Sequence, residues 1–199
     1  FVLHRTGRIE EARGAYETGL ASAEGDDPEV RADGLAGLGY LLVRESGGSR
    51  RGERLLAEAR AIYGTLGRLD KLSRVLSREG SALTRRGDLA AALDKHLLAL
   101  ESAHASGDRA GAAECHVDVA SVAFDRGELR RAERHLREAV RAFEALGDRR
   151  SLTLGAANLA ALAIELGRPS EAEPVLAEAL AADREAGARF NEAHDLRFI

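Results

Sequence analysis

The sequence predicts an all-α fold, an α-solenoid of antiparallel helix pairs, and three observations predict it. Gly7, Gly47, Gly87, Gly127 and Gly167 stand forty residues apart, and Gly67, Gly107, Gly147 and Gly187 repeat that spacing with an offset of twenty. Between the glycines, apolar residues recur at 3–4 spacing, the signature of one buried helical face. Small residues recur in the same register. A fixed period of this length marks a repeat array, whose units bury their apolar faces only against their neighbours.

The elements follow in order. Phe1–Thr6 reads as the end of a helix. Asp26–Asp27–Pro28–Glu29 reads as a helix start, with Pro in the first turn, where its missing N–H costs nothing. Leu89–Ala105, Leu129–Leu146 and Ser170–Ala186 carry the helical pattern most plainly. In the second of these, Leu129, Ala132, Leu136, Ala139, Val140 and Phe143 share one face, and Glu133–Arg137 is an i,i+4 pair on the other. Each unit is therefore a helix of about sixteen to eighteen residues, roughly 25 Å long. The turns Gly87–Asp88, Gly107–Asp108 and Gly147–Asp148 place Gly where a helix closes in the left-handed conformation and Asp where the next helix needs a cap. Arg168–Pro169–Ser170–Glu171 opens another helix, and Ala188–Ile199 is a helix without its partner. Such short turns make neighbouring helices antiparallel, so residues 1–199 read as a single array of about five pairs.

Aligning the forties gives packing columns. Ala12, Gly52, Ala92, Ala132 and Ala172 form one small-residue column, and Gly19, Ala59, Ala99, Ala139 and Ala179 another. Gly80, Ala120 and Ala160 form a third on the first helix of each pair, joined by Gly39 with a one-residue insertion. Small side chains let two helix backbones approach at a crossing. Tyr16, Leu56, His96, Leu136 and Leu176 fill the space between, as do Leu20, Leu100, Val140 and Leu180.

Leu35-x2-Leu38-Gly39-x2-Leu42, followed by Ala-x3-large-x2-Ala as in Ala92/His96/Ala99, Ala132/Leu136/Ala139 and Ala172/Leu176/Ala179, resembles the tetratricopeptide repeat (TPR). The resemblance covers nearly the whole chain and implies a right-handed superhelix. It departs from the usual period of 34, which is 40 here, and Leu76, His116 and Ala156 replace the aromatic opener. This long form, with Gly-Asp-Arg at the turn, resembles repeats of large bacterial regulators such as signalling ATPases. A HEAT-type solenoid is the other fold of similar period.

Composition narrows the function. With 29 Lys+Arg against 33 Asp+Glu, the net charge of −4 argues against a dedicated nucleic-acid or anionic-membrane binder. Cys115 is the only cysteine, which excludes a disulfide framework and fits a reducing, cytoplasmic setting. No run is apolar enough to span a bilayer. The chain lacks Met and opens on Phe1, and its end carries Leu196, Phe198 and Ile199, so a segment of a larger protein is expected. Those apolar ends also offer a route to self-assembly.

The expected activity is non-catalytic binding of a protein or peptide, in trans or from the same chain, as a scaffold or sensor. A concave groove lined by first helices is the expected site. Arg74, Ser77, Ser81, Thr84 and Arg85 come from one repeat; Glu114, Val117, Ser121, Phe124 and Asp125 from the next; Leu154, Ala157, Ala161, Ile164 and Glu165 from the third. Helix Ser151–Leu166 is apolar almost all round, which fits either a ligand or a covering segment. Arg130, Arg134, Arg137 and Arg141 are interleaved with Glu133, Glu138 and Glu144, which favours a solvated, ion-paired face over phosphate contact. His96, Cys115 and His116 are the best candidates for an enzymatic or metal-lined pocket, but packed histidines are the better reading. Gly47–Gly52 lacks the Lys-Ser/Thr of a phosphate loop, and no triad spacing is present. No cofactor is expected.

Overall fold

The computed structural model describes residues 9–22, 27–46, 49–174 and 177. Eight helices follow one another: α1 (Ile9–Ser22), α2 (Pro28–Ser46), α3 (Arg50–Thr65), α4 (Leu69–Arg85), α5 (Leu89–Ser106), α6 (Arg109–Asp125), α7 (Leu129–Leu146) and α8 (Arg149–Glu165). Helical turns resume at 169–174, and no strand occurs among the described residues. Gly7, Gly47, Gly187, Leu176, Ala179, Leu180, Phe1–Thr6 and Ala188–Ile199 lie outside them. The chain divides into two compact units, Phe1–Gly111 and Ala112–Ile199.

The turns work as their sequence implies. Gly67, Gly87, Gly107, Gly127, Gly147 and Gly167 all have positive φ, and no other described residue does. At Gly147, φ is 68°. The Asp148 N–H reaches back to the Phe143 carbonyl at 3.0 Å, a Schellman closure that satisfies a carbonyl orphaned at the helix end. Asp148 then caps the next helix, its Oδ1 accepting from the Ser151 N–H at 3.1 Å. Asp88 and Asp108 do the same for Ala91 and Gly111, at 3.2 and 2.8 Å. Asp27 caps α2 through Glu29 and Val30. One residue thus ends one helix and starts the next, which keeps the connection to two or three residues.

In the first unit, the core joins α2, α3 and α4 through Ala32, Leu35, Ala36, Val43, Leu56, Ala59, Tyr63, Val75 and Ala82. The small-residue columns are its contact points. A Cβ added at Gly39 would lie 2.9 Å from the Gly52 carbonyl, and one added at Gly52 would lie 2.8 Å from the Gly39 carbonyl. At Gly80 an added Cβ would meet the His96 ring, 2.6 Å from Nε2. His96 is 2% exposed and is therefore a core residue of this unit. In the second unit the same register puts Ala120 and Ala132 with Leu136 and Leu162. Ala113, Ala139 and Phe143 form a neighbouring cluster. Gly19 departs from its column, being exposed with open space around it.

Overpacking of this kind costs about 1–3 kcal/mol. Gly80→Ala should lower the urea midpoint accordingly. The same substitution in a His96→Ala background should cost clearly less, because the ring it meets is gone. Equal costs in both backgrounds would show that the two residues are not coupled.

Candidate functional site

The second unit carries a cavity of about 450 Å³ between α6, α7 and α8. Its floor is core: Ala120, Ala132, Leu136 and Leu162. Its walls are Val117, Ser121 and Phe124 from α6, and Asn158, Ala161 and Glu165 from α8. On each helix these wall residues recur at 3–4 spacing, so each set projects from one face. Phe124 is 43% exposed, a large apolar side chain kept partly in water at the rim. Ser121, Asn158 and Glu165 give the rim its polar groups.

No protein-family model and no curated protein matches the chain. Solved structures do. RapI in its apo form superposes with a TM-score of 0.86 at 16% identity, over 98% of this chain and 71% of that one. The Rap conjugation gene regulator of plasmid pLS20, in complex with the Phr* peptide, gives 0.79 at 19%, over 98% and 54%. A STAND signal-transduction ATPase with a tetratricopeptide repeat sensor, from Pyrococcus horikoshii, gives 0.73 at 16%, over 98% and 33%. The fold is TPR-like.

Within this TPR-like fold, the expected groove residues are placed as follows. Val117, Ser121, Phe124, Ala161 and Glu165 line the cavity together. Glu114, Asp125 and Leu154 are exposed outside it, Leu154 by 42%. Ala157 is a correction: it is 5% exposed, packed with Ala160, Ala163 and Ala172, and presents no open surface. Ile164 packs against that same cluster and not into the cavity. Asn158 also stands on the wall, a polar position on an otherwise apolar helix that the expected groove did not include. In the first unit, Arg74 and Arg85 are exposed on α4, and Ser77, Ser81 and Thr84 are half-buried. Thr84 donates its hydroxyl to the Gly80 carbonyl at 3.1 Å.

Three arginines of the stripe on α7, Arg130, Arg137 and Arg141, are ion-paired. Arg137 and Arg130 reach Glu133 at 2.7 and 3.3 Å, and Arg141 reaches Glu138 at 2.8 Å. Glu133 itself is 4% exposed and also takes Arg168 at 2.5 Å. Arg168 first, with Arg137 and Arg130, holds its carboxyl below the usual range.

His116 and His135 form an arrangement that the sequence did not announce. Their Nδ1 atoms lie 2.9 Å apart across α6 and α7, so one ring donates Nδ1–H and the other accepts. Burial, reinforced by His116 and by Arg131 and Arg134, pushes His135 down to about 4. Cys115, next to His116, is buried. Among the described residues, no three His, Cys, Asp or Glu side chains are grouped to hold a metal. No described helix is long and apolar enough to cross a membrane.

The lowered His135 value has a consequence for stability. Unfolded, the imidazole takes its proton near pH 6.5; folded, only near 4. Between those values the unfolded chain binds more protons, so the contribution is complete above pH 6.5 and is lost as pH falls toward 4. Allowing for its half-exposed position, the loss from pH 7.5 to 5 is about 1 kcal/mol. Urea titrations at the two pH values should show it in the native chain, and His135→Asn should remove most of the difference.

Proposed function

We propose that the chain is a non-catalytic peptide- or protein-binding module, and that the cavity between α6, α7 and α8 holds an apolar anchor side chain of the partner. The observation that carries this is the pairing of a 450 Å³ cavity with a half-exposed phenylalanine at its rim. An amphipathic helix or extended peptide would bury that surface. Glu165 at the rim favours a partner with a basic residue beside its anchor. The Rap regulator's complex with Phr* peptide supports a peptide ligand. The long repeat form and the STAND neighbour support a place within a larger bacterial regulator, where the partner would come in trans or from another domain of the same protein. Arg74, Ser77, Ser81 and Arg85 extend the same proposal to the first unit.

The chain has no Trp, so Phe124→Trp gives a single indole at the rim. Peptides selected from a random library on the native chain should blue-shift its emission on binding. Phe124→Glu should weaken the same peptides about tenfold or more, the loss typical of a buried aromatic anchor, with helical circular dichroism unchanged. Unshifted emission and undiminished binding would place the recognition surface elsewhere.

A further inference from the structure

The first unit holds a second cavity, of about 500 Å³, and its chemistry is different. Lys71, Arg74, Val75 and Arg78 line it from α4, and Asp33 from α2. Tyr16 and Leu20 of α1 and Val30 of α2 supply apolar and aromatic wall.

Among the described lining residues the charges do not balance, one carboxylate standing against three cations. Asp33 is already engaged: Lys71 Nζ lies 2.8 Å from its Oδ1, and the Tyr63 hydroxyl donates to the same oxygen at 2.7 Å. Burial alone would raise the Asp33 carboxyl, but these two hydrogen bonds and the nearby cations hold it below its usual value, so it stays charged and paired. No close ion pair joins Arg74 or Arg78 to a carboxylate among the described residues, and Arg74 acts on Asp33 only from a distance. Arg78 is partly buried, donates Nη1–H to the Ala36 carbonyl at 3.1 Å, and stacks over the Tyr40 ring at 4.7 Å. A backbone carbonyl and a ring face satisfy its geometry without neutralising its charge. Burial first, then the neighbouring Arg74, pulls its guanidinium below the usual value. Elsewhere in this chain a buried charge is matched: Glu79, 9% exposed, takes both Arg60 and Lys95.

We propose that this cavity is a binding site for a small organic anion, with Arg74 and Arg78 receiving a carboxylate or phosphoryl head and the Tyr16–Leu20–Val30 wall covering an apolar body. Guanidinium is the group suited to oxyanions, since its N–H fork matches two oxygens at once. The cavity volume lies in the range of small-molecule sites, about 300–1,000 Å³. This inference rests on the first unit alone and is independent of peptide capture in the second.

The test is calorimetric titration of the full chain with phenyl phosphate, inorganic phosphate and 3-phenylpropionate, all at constant ionic strength. Saturable one-site binding of phenyl phosphate or phenylpropionate is expected, tighter than inorganic phosphate because only the former carry an apolar body. The tighter of the two identifies the preferred head. Arg78→Gln and Arg74→Gln should each weaken binding about tenfold or more, the loss of a charge-assisted hydrogen bond. Arg54→Gln, which removes an equal charge from the exposed face of α3, should leave it unchanged. Arg74 is exposed on α4, so if Arg78→Gln fails to fold, Arg74→Gln alone decides. No saturable binding of either aromatic anion overturns the proposal. So does an equal loss in Arg54→Gln and Arg74→Gln, which would mark general charge screening.

Discussion

Everything in this chain depends on how closely two helix backbones can approach. At Gly39 and Gly52 there is no room for a Cβ on either helix, because each would meet the other's carbonyl oxygen. Where the crossing is slightly looser, alanine suffices, as with Ala120 and Ala132. The large residue sixteen positions after the small one then closes the gap: His96 over Gly80, Leu136 beside Ala120. Close approach also explains the economy of the turns. A helix must end soon after its crossing, and the next must begin at once, so that the small residue on each meets its counterpart. Left-handed glycines and capping aspartates make that timing possible.

Charge is arranged around this frame in a consistent way. Long-range pairs such as Arg68–Glu29, Lys71–Asp33 and Arg86–Glu53 tie helices of adjacent repeats. Each is partly exposed and individually contributes little, about 0–1 kcal/mol. The two buried carboxylates among the described residues, Glu79 and Glu133, are met by cations. Two places break the rule. In the first unit a cavity is lined by more cations than carboxylates among the described residues; in the second, a cavity has almost no charge and a phenylalanine at its mouth. The two therefore differ in the chemistry they offer, although the repeats that build them are alike.

Much of this was legible in the sequence because repeats state their own rules several times. The turn glycines, the capping aspartates and the small-residue columns could each be checked against copies forty residues away. Five of the expected positions, Val117, Ser121, Phe124, Ala161 and Glu165, were legible as lining one cavity for the same reason. Ala157 was not. Its helix is apolar on nearly every side, so the pattern carried no contrast between inward and outward faces. The His116–His135 contact, the Tyr63–Asp33–Lys71 cluster and the Arg78 stack on Tyr40 were not legible either. Each joins residues nineteen to thirty-eight positions apart. Periodicity tells which face a side chain occupies, but not which side chain from another helix will stand opposite it.

The two- and three-residue turns also constrain how such a chain can change length. Inserting one residue within a helix rotates everything after it by about 100°, carrying the small residue off its crossing. The one-residue insertion that the sequence columns show falls after Gly39 and before Gly47, past the Gly39–Gly52 crossing. Insertions and deletions inside helices are therefore filtered out, and gain or loss of whole helix pairs is the permitted step. The length of such an array is in effect quantised, and descendants of this chain would differ by added or missing rungs rather than by looser ones.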